Sequence, residues 1–340
     1  MRQVSRNLTL DCLRIFACLW VWTYHWTGHA ATWKEFPGNL DLEFSFIPKL
    51  VDRFFALGFL GVQIFFVISG WVIAQTAEFT NPSKFLKHRF LRLYPSYLIA
   101  SIITIILYNL AGGSRTFTSG LIWLTGFPLL IQNRPFIGPA WSLHFEILFY
   151  LAVFLLLLKG NINSNLKVLA NLMSIAFFFL LLIGKHTQQN LINSYILYLP
   201  FFVFGIFLRI LNTRTALKRN LIGFILACLV LIFDLRYVLD NYANAMFIFF
   251  MICVPFALAR VEIAQNWAIN FRVANNIKRF SLMTYPIYLL HLTAGGALIS
   301  YLARKSFSIG LSMSIATVLV LTLSYWIVGT CEPKFRSYFR

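Results

Sequence analysis

The sequence predicts an all-α fold, a polytopic membrane helix bundle with about ten crossings and both termini on the cytoplasmic side. Three observations carry this expectation. Of 340 residues, 59% are hydrophobic and 12% are charged, about half the charged share of a soluble protein. The apolar residues gather in runs of about 17 to 25, enough to span the hydrocarbon core of a bilayer. The 29 Lys and Arg, which set a net charge of +18, lie mostly in short connections between these runs. That is the pattern of positive cytoplasmic loops and argues against nucleic acid as a partner.

The first run, 8–30, follows Arg2 and Arg6 as a signal peptide would. Arg14 interrupts the region where a signal peptide needs an unbroken apolar core, so the run reads as a retained first crossing. The hydrophilic excursion 31–53 holds Pro37, Gly38 and Pro48, and Trp33, Phe36, Phe44 and Phe46 are expected to pack it back as a lid. In the second run, 54–77, Gly58, Gly61, Ser69 and Gly70 favour close helix packing over a substrate-facing role. A third run, 93–111, follows the basic stretch KFLKHRFLR. The segment 119–131 carries Gly126 and Pro128 and is short for a crossing, so a re-entrant or interfacial course is expected.

The remaining runs are 141–158, 168–184, 195–211, 220–239, 242–259, 281–303 and 307–330. Charge chooses the topology. If 119–131 does not cross, 20 of the 29 Lys and Arg lie inside; if it crosses, only 12 do, against the cytoplasmic bias. No internal repeat or linker appears, and residues 1–340 read as a single membrane domain. The five cysteines, Cys12, Cys18, Cys228, Cys253 and Cys331, show no CxxC pair, and no metal or nucleotide motif is present.

Two ionisable residues stand inside the first run, Arg14 and His25. A charge at the centre of a membrane helix costs at least about 2.5 to 3.5 kcal/mol, so a functional site is the default reading. At 1.5 Å per residue they are roughly 16 Å apart, Arg14 near the inner boundary and His25 in the outer half. Glu146 lies about 7.5 Å below the outer end of the run 141–158, at the depth of His25. A carboxylate beside an imidazole orients it and raises its basicity, as a general base acting on a hydroxyl requires. The bland alternatives are a His25 satisfied by a backbone carbonyl, Tyr24 or Thr27, and a Glu146 in a structural ion pair or neutral and hydrogen-bonded. His144 points off the face of Glu146 and reads as structural.

In the basic stretch, Arg89 and Arg92 share a helix face with Lys87 nearby. Such a cluster could hold the phosphates of a cytosolic donor such as coenzyme A, or only set topology and bind anionic lipid. His291, in SLMTYPIYLLH, either lines the same cavity or bonds Tyr288 or a backbone carbonyl. Glu332, before Pro333, reads as structural. A transporter or flippase of lipid-linked sugars would also need buried ionisable residues, but no paired halves are visible.

LDCLRIFACLWVWTYH, GVQIFFVISGW, FLKHRFLRLYPSY, WSLHFEILFY, SLMTYPIYLLH and a late EP, taken in order along nearly the whole chain, resemble the acyltransferase-three family of integral membrane O-acyltransferases. The family's arginine or lysine, ten residues, then histidine falls on Arg14 and His25. Its RxxR motif falls on Arg89 and Arg92, and the glutamate after its WSL motif on Glu146. The resemblance implies transfer of an acyl group, usually acetyl from cytosolic acetyl-CoA, to a hydroxyl of a surface or lipid-linked glycan at a bacterial inner membrane. It implies no metal, and partners limited to acetyl-CoA, the glycan acceptor and membrane lipids. His25 would be the general base or would itself carry the acyl group, Glu146 would orient it, and Arg14 would lie along the donor's route. The chain departs from the family at Cys12 and Ile15, where glycines are usual, and at Gln63, where a carboxylate is usual. The compact length resembles members that modify O-antigen or other surface sugars.

Overall fold

The computed structural model describes residues 7–27, 48–113, 116–124, 137–184, 190–211, 214–239, scattered helical positions within 244–259, and 270–338. Among them the secondary structure is helical, with no strand, as the apolar runs predict. The helices are α1 (Leu8–Trp26), α2 (Lys49–Ala56), α3 (Gly61–Ala77), α4 (Pro82–Leu110), α5 (Phe117–Leu124), α6 (Trp141–Leu158), α7 (Ile162–Gly184), α8 (Asn190–Ile210), α9 (Arg214–Leu239), α10 (Phe271–Leu290), α11 (Thr293–Arg304), α12 (Ile309–Trp326) and α13 (Glu332–Ser337).

The stretches Val51–Ala77, Pro82–Leu110, Gly138–Leu158, Ile162–Ile183 and Ile309–Ser337 are each long and apolar enough to cross a membrane, and the bent pair α10–α11 would make a sixth among the described residues. On α7, Val168, Leu172, Ile175, Phe179 and Ile183 are exposed, whereas Leu166, Ala170, Ser174 and Phe177 are buried. A wholly apolar stripe turned outward, with the small Ala170 and the polar Ser174 turned inward, suits lipid as the solvent. The number of ten crossings and the side of the termini rest on the sequence alone.

Three details depart from the sequence expectation. Helix α4 starts at Pro82, eleven residues before the apolar run, because Asn81 Oδ1 accepts from the Lys84 amide at 2.9 Å. An Asn cap with proline at the first helical position starts a helix there, and Lys, Arg and Leu continue it well. The run 281–303 is not one rod: α10 stops at Leu290, and α11 leaves it at 60°. The run 54–77 is not one helix: its first residues end α2, a tight 3-10 turn takes Leu57–Leu60, and α3 begins at Gly61. Of the short segment 119–131, only the part within α5 is described, and the expected lid residues Trp33, Phe36, Phe44 and Phe46 lie outside the described residues.

The helices pack as two compact units, each drawing on three segments of chain. One comprises Met1–Arg14, Gln63–Leu86 and Leu148–Ile277. In it α7, α8 and α9 pack against one another, and Asn171 Nδ2 donates to Asn220 Oδ1 at 2.8 Å between α7 and α9. Helices α3 and α8 meet through two glycines. A Cβ on Gly70 would fall on the Phe202 carbonyl oxygen, and one on Gly205 on the Val67 carbonyl oxygen, so each helix gives up a side chain where the other's backbone passes. Phe66 stacks on Phe202 beside this crossing, with centroids 4.6 Å apart.

The other unit comprises Ile15–Val62, Lys87–Ile147 and Lys278–Arg340. Here Gly58 and Gly61 lie against the Trp20 and Ala17 carbonyl oxygens of α1, the close packing that the small-residue spacing predicts. Trp20 Nε1 ties the same region together by donating to the Phe54 carbonyl at 2.7 Å. Helix α11 packs along α12, whose Ser312, Ala316, Val320 and Ser324, four apart, form a buried stripe.

Candidate active site

Arg14 and His25 are both carried by α1, eleven residues apart on one rod. The start of that rod is held by Asn7. Its Oδ1 accepts from the Leu10 amide at 2.9 Å, and its Nδ2 donates to the Ala259 carbonyl at 2.8 Å. The Arg14 guanidinium, 13% exposed, lies 3.1 Å from the carboxylate of Asp11, which is fully buried. Residues three apart share a helix face, so the pair forms within one turn. Sequence reasoning passed over Asp11, although its three-residue spacing from Arg14 was the available signal.

His25 stands near the far end of α1 and is partly buried. Its Nδ1 lies 2.9 Å from the Val21 carbonyl oxygen, one turn back on the same helix, and 3.0 Å from Nε2 of His291. The two imidazoles, 266 residues apart in the chain, have centroids 5.0 Å apart. His291 thus meets His25 directly; the sequence offered either a shared cavity or a bond to Tyr288 or a backbone carbonyl, and the ring makes the carbonyl bonds as well.

The bend between α10 and α11 is what presents His291. The last carbonyls of a helix have no partner within it. The His291 ring turns back on this end: Nδ1 is 2.8 Å from the Tyr288 carbonyl oxygen and 3.2 Å from that of Ile287, which also accepts from the His291 amide at 2.9 Å. From the other side, Trp26 Nε1 donates to the His291 carbonyl at 2.8 Å. Trp26 follows His25 on α1, so one helix contacts both the backbone and the ring of the bend.

The segment that opens α6 docks at the same place. The Gly138 amide donates to Thr293 Oγ1 at 2.7 Å, and a Cβ on Gly138 would press on Leu292 and Thr293. Tyr288 Oη donates to Ser142 Oγ at 3.1 Å, and Ser142 Oγ donates to the Pro139 carbonyl at 3.2 Å. The WSL segment, the SLMTYPIYLLH segment and the histidine end of α1 therefore converge on one point. Glu146, partly buried, lies one turn along α6 from Ser142. His144 is buried, its ring edge-on to Phe145.

Arg89 and Arg92 lie one turn apart on α4 and are partly buried, while Lys87 and His88 are exposed. In the same unit Glu332 is buried at the start of α13. Its Oε1 accepts from Ser96 Oγ at 2.7 Å, its Oε2 from Arg336 at 3.0 Å, and Arg92 lies within its electrostatic reach. The structural role expected for Glu332 is thus a specific one, clamping α13 to the end of the basic segment. Among the described residues no cluster of three or more His, Cys, Asp or Glu comes together to suit a metal.

Residues 7–329 match the family model described as an acyltransferase domain. The chain is 34% identical over 161 residues to acyltransferase MdmB of Streptomyces mycarofaciens, a match covering 44% of this chain and 38% of that protein. It is 33% identical over 139 residues to the exopolysaccharide production protein ExoZ of Rhizobium meliloti (strain 1021), covering 35% of this chain and 40% of that protein. The matched segments thus span about two fifths of these relatives' own lengths. No solved structure matches.

Proposed function

Because this chain belongs to the acyltransferase-three family, matched over residues 7–329, we propose that it is a membrane O-acyltransferase. On this reading it moves acetyl from cytosolic acetyl-CoA to a hydroxyl of a surface or lipid-linked glycan at a bacterial inner membrane. The observation that carries the chemistry is the His25 imidazole, held at Nδ1 inside a helix where an idle histidine would be a burden. A relative concerned with exopolysaccharide production supports a glycan acceptor.

His25 acts as the general base. It takes the hydroxyl proton as the sugar oxygen bonds to the thioester carbonyl carbon. The carbon–sulfur bond then breaks, and the proton passes to the departing coenzyme A thiolate. Glu146, in the same unit and one turn from Ser142, is assigned the support of the His25 cation through its charge, since Nδ1 of His25 already meets Val21 and His291. Arg89 and Arg92, with Lys87 at the rim, are assigned the donor's phosphates, since guanidinium groups pair with phosphate oxygens in two-point contacts. Arg14, paired with Asp11, is assigned to the donor's route, where a fixed positive charge would favour the developing thioester oxyanion.

His25→Ala, with membrane expression confirmed, should reduce glycan acetylation by about 10²- to 10⁴-fold, the usual contribution of a positioned base. Full retained activity would remove His25 from the mechanism. Sealed vesicles supplied with labelled acetyl-CoA separate this reading from a flippase, which would move the lipid-linked sugar with no turnover of the thioester.

A further inference from the structure

The hydrogen bonds around the bend in α10–α11 admit one arrangement of protons. Carbonyl oxygens only accept, so His25 Nδ1 must carry a hydrogen to bond Val21, and His291 Nδ1 must carry one to bond Tyr288. In a neutral imidazole the second nitrogen then bears the lone pair. His291 Nε2 is therefore an acceptor, 3.0 Å from His25 Nδ1, and it shares the one hydrogen of that nitrogen with the Val21 carbonyl in a three-centre bond. With the other tautomer of His291, two N–H groups would face each other at that distance. Neither histidine could shift its proton without breaking a bond to a backbone carbonyl.

We infer that His291 is a positioning residue for the acyl transfer: held by the carbonyls that end α10, it accepts from His25 Nδ1 and so fixes Nε2 of His25 as the proton-accepting atom. This rests on the acyl-transfer reading of His25. When His25 takes the hydroxyl proton at Nε2, the ring becomes a cation whose Nδ1–H already points at a lone pair, which stabilises the charge as it forms. A neutral imidazole here does what a carboxylate does in a serine-hydrolase triad, holding the base in one tautomer and supporting its cationic form. Trp26 and Gly138 act one step further out, by bonding the His291 carbonyl and the Thr293 hydroxyl on either side of Leu292.

The test uses the full-length protein in lipid, labelled with ¹⁵N and ¹³C histidine. Solid-state correlation spectra tell a protonated ring nitrogen from a bare one, and the His25→Gln variant identifies the His25 signals. Wild-type His25 is expected to be bare at Nε2. His291→Leu should lower kcat about a hundredfold, the lower range for a positioned base, with the KM for acetyl-CoA unchanged. His291→Gln, whose amide oxygen can accept from Nδ1–H, should stay within about threefold of wild type, well below that range; His291→Met replaces the Leu variant if the latter does not fold. A wild-type His25 bare at Nδ1, or a Gln variant no faster than the apolar one, overturns the inference. The spectra do not depend on turnover, so failure of the acyl-transfer reading, seen as activity surviving in His25→Ala, is distinct from either result.

Discussion

The Asp11 carboxylate lies 3.1 Å from the Arg14 guanidinium, one turn earlier on the same helix and fully buried. An arginine that looks unsupported in the sequence is thus held by its own helix. Asp11→Ala leaves the guanidinium with one fewer partner in a nonaqueous setting, and removing one member of a buried ion pair costs about 3 to 5 kcal/mol. The expected result is a lower Tm in detergent. A cycle with Arg14→Leu should show coupling, the double variant being less destabilised than the sum of the singles; strict additivity would mean that the pair does not interact.

The crossing of α3 and α8 tolerates no side chain at either glycine. Gly205→Leu and Gly70→Leu drive atoms into the Val67 and Phe202 carbonyls and should destabilise by about 1 to 3 kcal/mol or more, the range for overpacking. Gly310, with open space around it, is the control. Gly310→Ala should be neutral or stabilising by a few tenths of a kcal/mol, up to about 1, through helix propensity. Thermal unfolding of the three variants decides, and equal behaviour would contradict the described packing.

If Arg89 and Arg92 hold donor phosphates, the double change Arg89→Ala with Arg92→Ala should raise the KM for acetyl-CoA. A loss of about 1.4 kcal/mol per tenfold applies, and two charge-assisted contacts of about 1.5 to 3 kcal/mol each set the scale. Added salt should weaken the wild type more than the variant, since screening acts on the charges removed. Unchanged donor kinetics would reduce the cluster to a topology signal.

Glu332 gives a separate test of the same end of the molecule. It accepts from Ser96 and Arg336 and lies near Arg92, so Glu332→Ala should loosen α13 and raise the donor KM about tenfold, equivalent to about 1.4 kcal/mol, with kcat little changed. Glu332→Gln, which can still accept from Ser96, should fall between the two. Steady-state kinetics in which kcat falls and KM holds would instead link Glu332 to the chemical step.

Much of this protein is local, and what is local was legible. Apolar runs of membrane length became helices because backbone groups in hydrocarbon must bond within their own segment; the run 141–158 coincides with α6. Gly58, Gly61 and Gly70 announced close packing because nothing else makes a stripe of small residues useful in lipid. Arg14 and His25 stood out because charge is costly there. The Asp11–Arg14 pair was also within reach, since a three-residue spacing needs no knowledge of the fold.

The break after Leu290 was not legible. Hydropathy sees 281–303 as one apolar span, and a bend of 60° leaves no trace in mean hydropathy. The partner of His25 depends on that bend, on Trp26 and on the docking of the Gly138 segment, contacts that join positions far apart in the chain. By itself the sequence determined the helical membrane class and marked the residues whose place in an apolar run is costly, because both follow from the transfer of short segments out of water. Only the tertiary structure decided which two imidazoles meet and which of their nitrogens face each other, because a hydrogen bond requires two groups at about 3 Å, and no pattern along the chain specifies that distance.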